Sequence, residues 1–369
     1  ILAGHGVLMS GKTRTLRELA ERMEAVVALT LLGKGAFPES HPLCLGMMGM
    51  HGEAAANRAV QEADLLLALG MRFDDRVTGT LERYAPMARK VHIDADAAEL
   101  NKIVPADVAI VGDLRHVLEE LLAVIEPASH AGWMERVEQW RSQSRARDII
   151  NRPQNGRLVA PYVIDSLRKE TQGDAIVVTD VGQHQMWAAM YYGLDHPDPW
   201  ITSGGLGTMG FALPAAIGAQ IAQPDREVWA IAGDGGFQMT MQELGTLIQE
   251  DLPVRIALVN NSYLGMVRQW QELLYEGRYE ATYLVNPDFV RLVSAYGIPG
   301  WRVTEPANAA AIIAEARSQP GPAFIEFVVA REGDDGNVYP MVPPGAALHE
   351  MIRRPEACVE LAGTGEEKE

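Results

Sequence analysis

GDGGFQMTMQELGTLIQEDLPVRIALVNNSYLGM, Gly233 to Met266, is the stretch whose reading decides the fold. An apolar run, Val228 to Ala232, stops at Gly-Asp-Gly, a helical pattern follows, and a second apolar run, Val254 to Val259, stops at Asn260-Asn261. Strand, turn, helix, strand and turn in that order build a parallel sheet. Ligands of such sheets sit in the crevice outside the carboxyl ends of the strands. Asp234 and Asn261 fall at two of these ends, so they are expected side by side, each offering a hard oxygen to magnesium or calcium. Gly233, Gly235 and Gly236 let the backbone approach a phosphate closely. Gly-Asp-Gly alone is an ordinary turn, and Asn-Asn alone an ordinary loop or helix start. With 24 residues between Gly235 and Asn260, the two together read as half of a metal-diphosphate site.

Composition sets the bounds. A chain of 369 residues that is 47% hydrophobic can fill two ordinary domains, each with its own core. Thirty-two basic against 49 acidic residues leave a formal charge of -17, which argues against a nucleic-acid partner. Cys44 and Cys358 are the only cysteines and form no CxxC pair, so neither a disulfide framework nor a zinc site is indicated, which fits a reducing compartment. No apolar run reaches the roughly eighteen residues of a membrane span, and Ile1-Leu2-Ala3-Gly4 does not begin a signal peptide. The expectation is a cytoplasmic protein, or a plastid one in a plant or alga. The chain opens inside an apparent buried strand, so it is expected to be a fragment that follows a further domain.

Outward from the central stretch, the chain reads as α/β, with two doubly wound parallel-sheet domains. Over residues 1–126, strands are expected at Ile1 to Ala3, Val26 to Thr30, Leu65 to Leu69, Lys90 to Asp94 and Val108 to Val111. Helices are expected around Thr13 to Met23, Ala54 to Glu62 and Leu114 to Val124. The turns at the strand ends are Gly4-His5-Gly6, Thr30-Leu31, the run Leu45 to Gly52, Gly70 to Arg76, His92 to Asp94, and Gly112-Asp113. Arg72 offers a planar donor fork for a pyrophosphate, and Asp94 can accept from a ribose hydroxyl. The plainer alternatives are a surface ion pair for Arg72 and Asp74, and core filling for the Met-rich run. Residues 127–158 read as a linker with a helix from Gly132 to Arg147. A second βα alternation occupies 159–355, and 356–369 is an acidic tail. In this second domain a strand, Ala175 to Thr179, ends at Asp180-Val181-Gly182-Gln183-His184. A helix follows directly, so its free backbone amides make an anion site. The glycine-rich loop Thr202 to Gly210 leads into an Ala-rich helix, and its glycines allow close approach to a flat ring.

The turn pair resembles the thiamine diphosphate signature GDG…NN. Six segments, LGMMGMHG, GMRFDDRVTG, GQHQMWAA, GLGTMGF, NNSYLGMVRQWQ and VYPMVPPGAAL, are together similar to acetohydroxyacid synthase (acetolactate synthase). The resemblance implies a middle domain binding flavin adenine dinucleotide (FAD) and a C-terminal domain binding thiamine diphosphate with Mg2+. Asp234, Asn261 and the Tyr263 carbonyl would then hold the metal. Val181, Gly182, Gln183, His184, Gly207, Met209, Gly233, Gly235, Gly236, Gly265 and Met266 would hold thiamine diphosphate, with Gly207 and Met209 on its aminopyrimidine. Gly4, Gly6, Thr30, Leu31, Met48, Gly49, Met50, His51, Gly70, Arg72, Asp74, Asp94 and Asp113 would line the FAD site. Arg76 and Trp270 would border the substrate channel, and the segment from Val338 to Gly345 would cover the entrance.

The implied activity is decarboxylation of pyruvate and condensation of its two-carbon remnant with a second 2-keto acid, pyruvate or 2-oxobutanoate, toward branched-chain amino acids. FAD would have no net redox duty. Implied partners are a second copy, as homodimer or tetramer, and a small regulatory subunit. Three features depart from the family pattern: Gly236 stands where a small side chain is common, Ala54 to Ala56 lack bulk, and no residue matches the activating glutamate of a preceding domain. The chain alone is therefore expected to have little activity, with no assignable catalytic residue. A pyruvate oxidase, a 2-keto acid decarboxylase and a non-catalytic cofactor-binding module are the alternatives.

Overall fold

The computed structural model describes residues 1–146, 148, 156–197, 200–330 and 341–351. The chain divides into two compact units, residues 1–151 with 195–197 and 340–369, and residues 152–194 with 198–339. Each is built on a six-stranded sheet in which every pairing is parallel. The fold class expected from the alternating apolar runs and helical patterns is the one observed.

In the first unit the strands are β1 (Leu2–Ala3), β2 (Val27–Leu29), β3 (Cys44–Met47), β4 (Leu65–Leu69), β5 (Arg89–Asp94) and β6 (Val108–Val111). Helices α1 (His5–Ser10), α2 (Thr13–Met23), α3 (Ala54–Glu62), α4 (Asp75–Thr78), α5 (Leu114–Val124) and α6 (Ala131–Ala146) connect and cover them. The sheet order is β3-β2-β1-β4-β5-β6, so the chain reverses direction across the sheet between β1 and β4. That reversal opens the crevice where dinucleotides bind in folds of this order. Gly4-His5-Gly6, which reads as a turn, is the start of α1, with Gly4 as its cap. The approach there is close: Gly6 N–H donates to the Gly70 carbonyl at 3.1 Å, and a Cβ on Gly6 would stand 2.7 Å from the Gly70 Cα.

Two stretches pack differently from their reading. Helix α6, expected in a linker, buries Val137 and Trp140 in the core of the first unit. Residues 341–351, expected in the second domain and as a cover, pack on the first unit: Val342 N–H donates to the Met50 carbonyl (2.9 Å), Thr80 N–H to the Ala346 carbonyl (3.0 Å), and Leu348 and Met351 join the core. A sparse apolar pattern, two tryptophans in one helix or a few residues among prolines, says that a segment is buried but not against what. The turn at Asn151 to Asn155, residues 338–340 and the acidic tail lie outside the described residues.

The second unit contains β7 (Ile176–Thr179), β8 (Trp200–Thr202), β9 (Val228–Gly233), β10 (Arg255–Asn260), β11 (Gly300–Val303) and β12 (Ala323–Val328). Its helices are α7 (Ala160–Thr171), α8 (Gln183–Tyr191), α9 (Ala212–Ala222), α10 (Asp234–Thr240), α11 (Leu244–Gln249), α12 (Gly265–Leu274), α13 (Phe289–Ser294) and α14 (Pro306–Arg317). The order β11-β12-β10-β9-β7-β8 places the reversal between β7 and β9. The helix expected after Gly-Asp-Gly is broken: α10 and α11 are separated by a 3-10 turn at Met241–Glu243. Among the described residues no helix is long and apolar enough to cross a membrane.

Because a Cβ on Gly6 would be forced onto backbone, Gly6→Ala should lower the stability of the first unit by about 1–3 kcal/mol. At Gly132, in α6, a Cβ would have nothing within 4 Å, so Gly132→Ala should cost nothing and gain up to about 1 kcal/mol. Thermal denaturation of the two variants checks this, and equal midpoints would contradict the packing described.

Candidate functional site

Strand pairing builds the site. β9 lies between β7 and β10, with Thr179 opposite Ile231 and Val259 opposite Gly233. The turns leaving β7, β9 and β10 therefore converge, and they carry Asp180 to His184, Gly233 to Gly236, and Asn260 to Gly265. Contacts among them are tight. A Cβ on Gly233 would lie 2.7 Å from His184 Nδ1, one on Gly236 2.8 Å from the Asp180 carboxylate, and one on Gly265 2.9 Å from Asn261 Nδ2 and closer still to Gln183 Oε1. Gly182 has φ 150°, a conformation that L side chains rarely adopt, and its own Cβ would meet the His184 ring at 2.9 Å.

Asp234 is 2% exposed. Its Oδ1 accepts from Gly235 N–H at 3.1 Å and its Oδ2 from Asn286 Nδ2 at 2.7 Å. Burial nevertheless pushes its pKa up to about 6, the mark of a carboxylate held out of water without a full positive charge beside it. Asn261 Oδ1 accepts from Tyr263 N–H (3.0 Å), closing a small turn. Ser262 takes the left-handed conformation (φ 59°), and its N–H donates to Asn260 Oδ1 at 3.0 Å. Such a conformation in a non-glycine residue costs energy and persists where its surroundings enforce it.

His184 is buried near the first turn of α8, and its Nε2 has no hydrogen-bond partner among the described residues. Burial, opposed by the neighbouring Asp180 charge, pushes its pKa down to about 4, so the ring is neutral near pH 7. The free amides of the helix N-terminus beside it suit an anion. The loop from Ser203 to Gly210 is fastened at its far end, where Gly210 N–H donates to the Asp180 carboxylate (2.9 Å) and the Gly210 carbonyl accepts from Thr240 Oγ1 (3.0 Å). Met209 reaches back over Gly235, whose Cβ would lie 3.6 Å from the Met209 Cε. Gln183, Asn261, Tyr263, Gly265, Arg268 and Gln269 line one cleft, with the Arg268 guanidinium 4.3 Å from the centre of the Tyr263 ring. Trp270 is half-buried on α12, and Met266 stands in that helix's first turn.

The residues expected to line a dinucleotide site are distributed over the carboxyl ends of β1 to β6. Gly4, Gly6 and Gly70 meet at the reversal. Thr30 caps a 3-10 turn over Leu31–Gly33. In the Met-rich run, Met48 and Met50 are buried, and Gly49 (φ 113°) exchanges two 2.8 Å hydrogen bonds with the Asn57 amide. Met50 N–H donates to the Arg76 carbonyl at 2.6 Å. Burial, with the Arg76 charge, pushes His51 down to about 4. Arg72 and Asp74 form an ion pair at 2.8 Å and Arg76 pairs with Asp75 at 2.7 Å. Asp74 and Asp113 cap helices α4 and α5, and Asp94 accepts from Asp96 N–H. Asp180, which the sequence gives only as the start of its turn, and Asn286, Gln238, Gln269 and Glu326 are site residues to which the sequence assigns no role. Only Asn286-Pro287-Asp288 carries a local signal, that of a turn, because what unites these five is a set of contacts spanning 26 to 86 residues.

Two family models match this architecture: "Thiamine pyrophosphate enzyme, central domain" over residues 1–121, and "Thiamine pyrophosphate enzyme, C-terminal TPP binding domain" over 180–327. The chain belongs to the thiamine pyrophosphate enzyme family and contains its central and C-terminal domains. Within that class it is similar to acetolactate synthases. It is 47% identical over 361 residues to the acetolactate synthase of Mycobacterium bovis, covering 95% of this chain and 58% of the relative. To the acetolactate synthase isozyme 3 large subunit of Escherichia coli K12 it is 42% identical over 360 residues, covering 95% and 62%. The isozyme 2 large subunit of the same organism is 44% identical over 355 residues, covering 96% and 63%. The chain thus spans about three-fifths of the length of these relatives.

Asp234 binds its proton more tightly folded (pKa about 6) than unfolded (about 3.9), so the folded state carries a cost once both states ionise. That cost grows as pH rises from about 4 to about 6 and is constant above. Without added metal, Asp234→Asn should therefore be more stable than the unaltered protein at pH 7.5, by on the order of 2 kcal/mol, and the gap should close by pH 4. Parallel denaturant titrations across that range test the sign.

Proposed function

We propose that this chain carries the cofactor-holding domains of an acetolactate synthase, with Mg2+ and thiamine pyrophosphate in the second unit and FAD in the first. The observation that carries the reading is the meeting of Asp234 and the Asn260-Asn261 turn at the ends of adjacent parallel strands, inside the segment that matches the thiamine pyrophosphate-binding domain. The donor set fits. Among the described residues no group of three or more His, Cys, Asp or Glu could hold a metal unaided. One carboxylate, one amide oxygen and the Tyr263 carbonyl leave positions for diphosphate oxygens and water, as magnesium sites commonly do.

The diphosphate would lie along the first turn of α8, against the Val181, Gly182 and Gln183 backbone and beside the His184 ring, with Gly233, Gly235 and Gly236 leaving room for it. Gly265 and Met266 would close the cation side, and Gly207 and Met209 the aminopyrimidine side, where Met209 already leans over Gly235. Bound thiamine pyrophosphate supplies an electron sink that lets a 2-keto acid lose carbon dioxide and pass on a two-carbon unit. The chain's own contribution is positioning. The buried Asp234 carboxylate would fix the cation, the His184 ring would line the diphosphate position, and Asp180 keeps the glycine loop beside the site.

In the first unit, Gly4, Gly6 and Gly70 at the reversal, Thr30, Leu31, Met48, Gly49, Met50 and His51, and Arg72, Asp74, Asp94 and Asp113 would line the FAD site. Arg72 would exchange its carboxylate partner for pyrophosphate. Arg76 and Trp270 would face substrate. Domain limits of 1–126 and 159–330 belong to the same reading, with α6 and residues 341–351 packed on the first domain. Substrates would be pyruvate, with pyruvate or 2-oxobutanoate as acceptor, in branched-chain amino acid synthesis. The relatives named as large subunits support a small regulatory partner, and assembly would be as a homodimer or tetramer.

Calorimetry should detect thiamine pyrophosphate binding that requires Mg2+, reduced at least about tenfold in Asp234→Ala and in Asn261→Ala while both variants keep their thermal transition. With pyruvate, the active assembly should release acetolactate. Acetaldehyde or hydrogen peroxide as the main product would replace the synthase by a decarboxylase or an oxidase. Metal-independent binding would remove the proposed cation site.

A further inference from the structure

Asn286 sits in the Asn-Pro-Asp turn before α13, well beyond Asn261 in sequence, yet its side chain reaches the candidate cation site. Nδ2 donates both hydrogens, one to Asp234 Oδ2 at 2.7 Å and one to Asn260 Oδ1 at 3.0 Å. Its Oδ1 accepts from Gln238 Nε2 at 3.0 Å, so the amide has one orientation that satisfies all three partners. Asn260 is held from its other side: its Nδ2 donates to Glu326 Oε1 at 2.7 Å. Glu326, 3% exposed on β12, is a buried carboxylate whose Oε2 accepts from Arg302 Nε at 2.7 Å. Arg302 extends the chain of contacts to Asp288 Oδ1 at 2.7 Å, and Asp288 caps α13 two residues after Asn286. The contacts form a loop: Asp234, Asn286, Asn260, Glu326, Arg302, Asp288 and, through the backbone, Asn286 again.

We propose that Asn286 is a positioning residue for the divalent cation, and that the buried Glu326, paired with Arg302, braces it through Asn260. The inference deepens the proposed function and rests on its cation site. A carboxylate on the first residue of a helix can turn about its Cα–Cβ and Cβ–Cγ bonds. Asn286 removes that freedom by occupying one lone pair of Oδ2, while Gly235 N–H takes one of Oδ1, and each oxygen keeps a second lone pair. The same amide ties the Asn260 side chain, and therefore the left-handed turn at Ser262, to the Asp234 carboxylate. The spacing between Asp234 and Asn261 is thereby fixed before a cation arrives. Mg2+ demands near-ideal octahedral geometry, whereas Ca2+ accepts a looser shell, so a preset spacing matters more for Mg2+. Partners that orient metal ligands typically account for about 10- to 100-fold in affinity.

The test is thiamine pyrophosphate binding to the whole chain, by calorimetry, at graded Mg2+ and separately at graded Ca2+. Asn286→Ala should raise the Mg2+ concentration for half-maximal binding about 10- to 100-fold, raise that for Ca2+ by a smaller factor, and recover full binding at saturating Mg2+. Glu326→Gln, which keeps size and an acceptor for Asn260 but removes the charge that holds Arg302, should shift the same quantity in the same direction by less. A shift under twofold in Asn286→Ala would overturn the proposal. So would an equal loss for both cations that excess Mg2+ does not restore, since that is the signature of damaged packing. An unshifted Glu326→Gln would overturn the bracing role. Failure of the unaltered chain to bind thiamine pyrophosphate with Mg2+ would overturn the cofactor reading itself, and this inference with it.

Discussion

Parallel pairing of β9 with β7 on one side and β10 on the other is the constraint on which the second unit depends. Backbone hydrogen bonds along these pairs fix which residues stand level at the carboxyl ends, and a shift by one residue would turn each strand's side chains to the opposite face. Val259 stands opposite Gly233, so Asn260 stands level with Asp234, and Asn261 follows one residue beyond. Neither residue chooses the other. A register set by apolar side chains packed between α9, α10 and α13 brings them together.

The glycines around this point follow from the same crowding. Gly233, Gly236 and Gly265 each stand where a Cβ would collide with His184, Asp180 or Gln183, side chains that the turns need. In sequence, Gly236 is only a departure from a pattern in which a small side chain is common. In the fold its missing Cβ makes room for the Asp180 carboxylate that anchors Gly210. The first unit repeats the theme with backbone against backbone, where Gly6 and Gly70 touch at the reversal between β1 and β4. Both units place close backbone contacts at the reversal of strand order, which is where open sheets leave a crevice.

The strands legible in the sequence are those with a continuous apolar run. Leu65–Leu69, Val228–Gly233 and Ala323–Val328 are covered on both faces and read plainly. β3, β8 and β11 do not read as strands, and all three are edge strands. Cys-Leu-Gly-Met, Trp-Ile-Thr and Gly-Trp-Arg-Val are short and mixed, because an edge strand has one neighbour and less to bury. The break between α10 and α11 is hidden for a related reason: the apolar positions keep a helical period through the 3-10 turn, so periodicity alone does not register it.

By itself the sequence determined two parallel α/β units, the positions of their main turns, and the residue types at the proposed cation and diphosphate positions. These follow from local rules, since apolar period and turn chemistry act over a few residues. Only the tertiary structure decided what lies behind those residues. It brought Asn286 onto Asp234 and Glu326 onto Asn260, set Asp180 against Gly210 and Gly236, and packed residues 341–351 on the first unit. Contacts between polar groups dozens to hundreds of residues apart have no period and no local signature. They exist because a buried donor or acceptor must find a partner wherever the packed chain offers one.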